Sequence, residues 1–121
     1  MSWDVGLTDE ETGKALTVAL FIEGGTYAMG GSTAADVNIT YNYSLLYYHV
    51  LGLPNGLRGM NGMEAAEALP ILERGIGALG DDENADYWKA TEGNAKRPLK
   101  LLAEWCRQAI RSERRARVFV Q

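Results

Sequence analysis

The chain has 121 residues, of which 46% are hydrophobic and 23% charged, and its formal net charge is −4. This length predicts a single domain over residues 1–121, and the hydrophobic content excludes a disordered chain. The single cysteine, Cys106, excludes an internal disulfide, and no apolar run approaches the ~20 residues of a membrane span.

The N-terminal region predicts a β-hairpin. Residues 3–7 and 14–22 are largely apolar and flank the polar turn sequence DEETG. The first eleven residues are acidic and lack the apolar core of a signal peptide. Together with the lone cysteine, this favours a cytoplasmic protein.

Residues 23–32, EGGTYAMGGS, form a glycine-rich segment. Such a segment permits positive φ and close approach of the backbone to a ligand. It matches neither the P-loop pattern nor the dinucleotide fingerprint. Because it leads into a predicted helix, its N–H groups are candidates for binding an anion, and a simple tight connection is the alternative. The candidate ligand-binding residues here are Gly24, Gly25, Thr26, Tyr27, Gly30 and Gly31.

Residues 33–52 predict a helix that is apolar on two opposite sides. Thr33 and Asp36 resemble a capping box, and Gly52 followed by Pro54 is typical of a helix end. A helix of this kind usually lies centrally, so we expect an α+β fold with three main helices around this tyrosine-rich one. The alternative interpretation is that polar tips face a pocket. Those tips belong to Asn38, Tyr41, Asn42 and Tyr43.

Residues 53–62 form a loop that contains Asn-Gly twice and also Arg58, one of only four basic residues before Lys96. Residues 63–79 follow as a second amphipathic helix. Pro70 lies inside it and predicts a kink or a break over residues 66–70. The acidic residues 81–86 resemble part of a calcium loop, but the required glycine is absent. We therefore expect a solvated loop and no metal.

The last helix begins near Thr91 or Asn94, either of which is a suitable cap, and ends near Ser112. Residues 117–120 have strand propensity, so this segment could pair with the N-terminal hairpin. The apolar face of the helix comprises Ala95, Pro98, Leu99, Leu102, Trp105, Cys106 and Ala109. The opposite stripe comprises Lys96, Lys100, Arg107, Arg111 and Arg114.

Charge is unevenly distributed along the chain. Residues 96–117 hold eight of the twelve basic residues and two of the sixteen acidic ones. Either the basic segment pairs with the acidic remainder, or it meets an anionic partner through Arg107, Arg111 and Arg114.

Several stretches together resemble small uncharacterised proteins encoded by phages and prophages: WDVGLTD, GGTYAMGGST, NITYNYS, LPILERGI and DYWKATEGNAKR. The resemblance covers about residues 3–102 and implies a phage accessory protein acting in the bacterial cytoplasm. That group has no assigned reaction, so no catalytic residue is transferred.

No catalytic constellation is evident, and a non-enzymatic protein without a cofactor is favoured. His49 is the only histidine, and Cys106 is expected to be a buried, inert thiol. The leading hypothesis is a protein that binds and sequesters a small anionic, nucleotide-like ligand, such as a host defence signal. The alternative is a protein-interaction module that inhibits a host factor.

Besides the glycine-rich segment, the predicted ligand-binding residues are Asn38, Tyr41, Tyr43, Thr91, Asn94, Lys96 and Arg97. They lie at or near predicted helix starts, where N–H groups and the helix dipole favour an anion. Nucleic acid is a weaker candidate because the net charge is negative. Self-association is expected, since a helix apolar on two sides needs more cover than two other helices supply.

Overall fold

The computed structural model describes residues 1–18, 27–28 and 34–121, with the backbone alone at residues 27–28. Most of the glycine-rich segment and the distal part of the predicted hairpin lie outside these ranges.

The described strands form one antiparallel sheet in the order β2-β3-β1-β4. The strands are β1 (Ser2–Asp9), β2 (Tyr27–Ala28), β3 (Asp36–Thr40) and β4 (Ala116–Val120). Val5 of β1 lies opposite Val37 of β3 on one side and Val120 of β4 on the other. The C-terminal segment therefore joins the N-terminal strand, as predicted.

The predicted hairpin turn after β1 is confirmed for the described residues. Asp9 donates its N–H to the Lys14 carbonyl at 2.8 Å, and Leu16 donates to the Leu7 carbonyl at 2.8 Å. The chain thus reverses over residues 10–13 and returns beside the end of β1.

The three described α-helices are α1 (Ser44–Leu51), α2 (Ala65–Ala78) and α3 (Glu92–Arg111). A 3₁₀ turn (Tyr41–Tyr43) precedes α1, and a 3₁₀ helix (Gly56–Met60) connects α1 to α2. The α+β class and the tyrosine-rich helix are confirmed. α2 continues through Pro70 as one helix, so the alternative of a break there is wrong.

The helix predicted over residues 33–52 is shorter than expected. Residues 36–40 form β3 instead, and α1 begins only at Ser44. The sequence VNIT alternates apolar and polar residues and contains three β-branched side chains, a pattern that suits a half-buried strand. Pairing with β1 buries Val37 and Ile39 on one face of the sheet. This pairing favours the strand, although the spacing of the apolar residues also fits a helix.

One hydrophobic core joins the sheet and the helices. Strand residues such as Val5 and Ile39 share it with Tyr47 of α1, Leu72 of α2 and Leu99 of α3. The whole predicted apolar face of α3 is buried, including Cys106. Burial raises the pKa of the Cys106 thiol to about 12, so the thiolate is not formed near neutral pH.

Candidate functional site: a groove beside helix α1

The glycine-rich candidates Gly24, Gly25, Thr26, Gly30 and Gly31 lie outside the described residues, as does the side chain of Tyr27. The remaining predicted ligand-binding residues are all described. Most of their polar groups already contact other parts of the chain.

Asn38 and Tyr41 lie at the sheet and its exit. The Asn38 side-chain amide donates to Ser2 Oγ at 2.7 Å and to Asp4 Oδ1 at 3.1 Å, which ties β3 to β1. The Tyr41 ring packs on Trp3 with ring centroids 4.7 Å apart. Both side chains contribute to joining the sheet to the segment that follows it.

The start of α3 is organised by Thr91 and Asn94. Thr91 Oγ1 accepts a hydrogen bond from the Asn94 N–H at 3.2 Å, so Thr91 is the cap, and not the alternative Asn94. The Asn94 side chain is buried; it donates to the carbonyls of Asp86 and Lys89 and accepts from the Asn84 N–H, each at 3.1 Å. Its polar atoms therefore hold the loop of residues 81–91.

The start of α1 lies close to the start of α3. The Tyr43 hydroxyl donates to the Tyr87 carbonyl, and the Tyr47 hydroxyl donates to the Ala95 carbonyl at 2.8 Å. Burial raises the pKa of Tyr43 to about 12, so the hydroxyl remains a donor. Backbone groups of residues 81–91 occupy the hydrogen-bonding positions between the two starts.

Lys96 and Arg97 lie in the first turns of α3 and form ion pairs. Lys96 Nζ lies 2.6 Å from Asp81 Oδ1, and Arg97 makes a two-point contact with the Glu83 carboxylate. The hydrogen bond from Lys96 lowers the pKa of Asp81. Both cations are therefore paired with carboxylates of the acidic loop.

The predicted partner-binding arginines are also paired. Arg107 contacts Glu104 and Glu73, and Arg111 contacts Glu104. Arg114 lies beyond the end of α3, where it contacts the buried Asp9 and also Glu11. Arg107 and Arg114 thus pair with the acidic remainder of the chain, whereas the partner of Arg111, Glu104, belongs to the basic segment itself.

A different region forms a groove of about 730 Å³ beside α1. Its floor is apolar and consists of Trp3, Leu57 and Val120. One wall is the exposed side of α1, with Ser44, Leu45 and Tyr48. The other wall is the 3₁₀ helix with its flanking residues: Asn55, Gly56, Arg58 and Asn61. We call this concavity the α1 groove.

The two walls are held close together at Gly56. This residue has φ +58°, and a Cβ there would lie 3.3 Å from both the N and the Cα of Tyr48. Glycine is the residue that tolerates both this backbone conformation and this approach. The 3₁₀ helix therefore packs directly on the backbone of α1.

Asn55, Arg58 and Asn61 form a row along one wall. A 3₁₀ helix has about 3.0 residues per turn, so residues three apart lie above one another. The turn is closed at its end by a hydrogen bond from the Asn61 N–H to the Arg58 carbonyl at 3.1 Å. Leu57 and Met60, also three apart, are buried on the core side. This arrangement presents three polar side chains to one groove.

Charge in the α1 groove has a single sign. Within the described ranges, the Arg58 guanidinium has no hydrogen-bond or ion-pair partner. None of the described lining residues is a carboxylate, although the chain has sixteen acidic residues. The opposite wall offers apolar surface, because Leu45 is 68% exposed and Tyr48 is 53% exposed. The groove can therefore accept an anionic group beside an apolar or aromatic one.

Other chemistry has less support among the described residues. There, no group of three or more His, Cys, Asp or Glu side chains lies close enough to hold a metal ion. None of the described helices combines the length and apolar character needed to cross a bilayer.

No family model, curated protein or solved structure matches this chain. The resemblance to phage proteins accordingly stays a prediction.

Arg58 is evident in the sequence, but the groove that it lines is not. The available signal was the spacing in NGLRGMN, where Asn55, Arg58 and Asn61 recur every three residues between two Asn-Gly turns. Polar residues that recur every three positions, beside apolar residues with the same spacing, are typical of a short 3₁₀ helix on a protein surface.

Proposed function

We propose that the protein binds a small ligand that combines an anionic group with an apolar or aromatic body, as nucleotides do, and that the α1 groove holds it. The observation that carries this proposal is that, among the described residues, the Arg58 guanidinium has no partner and no carboxylate lines the groove. Guanidinium groups bind carboxylates and phosphates through two parallel hydrogen bonds. A volume of about 730 Å³ also lies within the usual range of ligand pockets, about 300–1,000 Å³.

The groove is a better candidate than the predicted residues at the start of α3. There Asn94, Lys96 and Arg97 would have to give up hydrogen bonds within the chain before binding a ligand. Arg58 has no such bond to any residue that the structure describes. Binding to the glycine-rich segment stays a prediction, as does the sequestration of a host signal by a phage accessory protein.

A protein-interaction module is the second candidate, and one observation favours it. Leu45 and Tyr48 are exposed side by side with Arg58 along the groove. Tyrosine and arginine are enriched among the residues that dominate protein–protein binding energy. Self-association, which is still a prediction, would be one form of this candidate.

The proposal is tested by a ligand panel on the intact protein. The panel contains mono-, di-, tri- and cyclic nucleotides together with phenyl phosphate and 3-phenylpropionate, screened by thermal shift and measured by calorimetry. Hydrogen bonds to a charged group are worth about 1.5–3 kcal/mol, so Arg58→Gln should weaken binding by about tenfold or more.

Lys14→Gln is the matched control. It removes the same charge from an exposed position near the turn that follows β1. This turn lies at the opposite end of β1 from Trp3 on the groove floor, about 20 Å away for a strand of that length. The control should bind as the unmodified protein does. If no anionic compound binds, or if both variants lose affinity equally, the proposal is wrong.

A further inference from the structure

We propose that the ligand is a nucleoside monophosphate, with its phosphate on Arg58 and Asn61 and its base between Tyr48 and Asn55. This inference rests on the proposed function and names the ligand class. Its basis is the number, orientation and spacing of the polar groups in the α1 groove.

The first step concerns the orientation of Asn61. Its Oδ1 accepts a hydrogen bond from the Val120 N–H at 2.8 Å. A backbone N–H can only donate, so the oxygen of this carboxamide is assigned by chemistry and the NH₂ group is the free end. Asn61 therefore adds donors to the end of the groove where Arg58 lies, and both groups suit an anion.

The second step concerns spacing. Successive members of the row are three residues apart, which corresponds to about 6 Å along a 3₁₀ helix. Arg58 and Asn61 can thus contact one phosphate from neighbouring positions. Asn55 precedes the first residue of the 3₁₀ helix, so it lies on the other side of Arg58 from Asn61 along the chain. It remains available for the body of the ligand.

The third step concerns the base. Tyr48 is a 53% exposed residue that lines the same groove as Asn55, and its ring offers a flat surface for stacking. The Asn55 carboxamide has no partner among the described residues, and it presents a donor next to an acceptor. This pair complements the adjacent N6 amino group and N7 of adenine. Adenine is one base that presents such a pair, and it is the base used in the test.

The fourth step concerns the number of phosphates. Arg58 is the one cation among the described lining residues, and the chain as a whole carries a net charge of −4. Additional phosphates would lose hydration without gaining a cationic partner, and they would be repelled by the acidic surface. The groove therefore favours one phosphate over three.

Calorimetry with AMP, ATP, adenosine and phenyl phosphate tests this inference. We expect AMP to bind more tightly than each of the other three. Arg58→Gln should weaken AMP binding by about tenfold or more while leaving adenosine unchanged. Asn55→Leu should weaken AMP binding and leave phenyl phosphate unchanged. Circular dichroism of each variant verifies that the exposed substitutions leave the fold intact.

The outcomes separate the inference from the proposed function. If ATP or phenyl phosphate binds as tightly as AMP, with both dependent on Arg58, the ligand class is wrong and the anion-binding function stands. If phenyl phosphate and 3-phenylpropionate bind but AMP does not, the inference is likewise overturned. If none of these anions binds, the proposed function fails together with the inference.

Discussion

Asn94 is the residue that holds the loop of residues 81–91 against the start of α3. Its side chain is 2% exposed, and both ends of the carboxamide are bonded to backbone groups of that loop. Asn42 reaches the same loop from outside, where its exposed amide donates to the Trp88 carbonyl at 2.8 Å. The two asparagines therefore differ chiefly in burial and in the number of bonds.

We expect Asn94→Ala to lower the free energy of unfolding by about 1–3 kcal/mol, because it leaves buried backbone groups without partners. Asn42→Ala is the control and should cost less, since water replaces its single bond. Urea denaturation measures both values, and hydrogen exchange should show faster opening of residues 81–91 in the Asn94 variant. Equal losses for the two variants would contradict this assignment.

At the scale of elements, α2 contains two glycines in different surroundings. Gly75 is buried, and a Cβ there would lie 2.9 Å from Leu51 Cδ2 and 3.3 Å from Leu99 Cδ1. Gly77 is exposed, and a Cβ there would meet nothing within 4 Å. Gly75 therefore permits the close packing of α2 against α1 and α3, whereas Gly77 has no such role.

We expect opposite effects from the same substitution at these two sites. Gly77→Ala should stabilise the protein by up to about 1 kcal/mol, because alanine is the better helix former. Gly75→Ala gains the same propensity but overpacks the core, a change that costs about 1–3 kcal/mol, so a net loss is expected. Denaturant titrations of both variants provide the measurement. A stabilised Gly75→Ala protein would show that α1 and α2 can separate freely.

At the scale of the whole molecule, ion pairs join the acidic and basic parts of the chain. Arg114 contacts Asp9 and Glu11 in the turn after β1, and Arg117 contacts Glu10 and Glu64. The Arg114 guanidinium beside Asp9 holds the pKa of that carboxyl below its usual value. The two ends of the chain are thereby tied together electrostatically as well as through the β1–β4 pairing.

This pair predicts a pH-dependent contribution to stability. Because the Asp9 pKa is lower in the folded state, the contribution is present above the ordinary aspartate pKa of about 4 and is lost as the pH falls through the lowered value. Arg114→Gln should therefore destabilise the protein at pH 7, and the difference should shrink towards zero in strong acid.

Arg111→Gln is the control, since Arg111 forms an exposed pair with Glu104. Exposed pairs of this kind contribute only about 0.2–1 kcal/mol. Thermal melts from pH 2 to pH 8 measure both variants. A difference for Arg114→Gln that is independent of pH, or no larger than that of the control, would contradict the proposed role of the pair.

The candidate site was predictable only in part. The polar residues Asn55, Arg58 and Asn61 recur every three positions. This spacing can be seen in the sequence and indicates a 3₁₀ helix. The wall formed by α1 was not predictable, because residues 33–52 were expected to form a longer helix apolar on two sides, whereas in the structure Tyr47 is buried and the neighbouring Tyr48 is exposed. Where α1 begins decides which tyrosine faces inward, and that start depends on the pairing of β3 with β1.

The sequence alone determined the features that depend on neighbouring residues. The amphipathic face of α3, its end at Ser112 and the strand propensity of the C-terminus all arise from local spacing and side-chain chemistry. Tertiary structure alone decided whether residues 36–40 became strand or helix, because both periods fit and only pairing with a distant strand distinguishes them. It also decided which cations lie close to a carboxylate of the described residues. Arg114 finds Asp9 across the whole length of the chain and Arg58 finds no carboxylate among the described residues, and no local pattern encodes that difference.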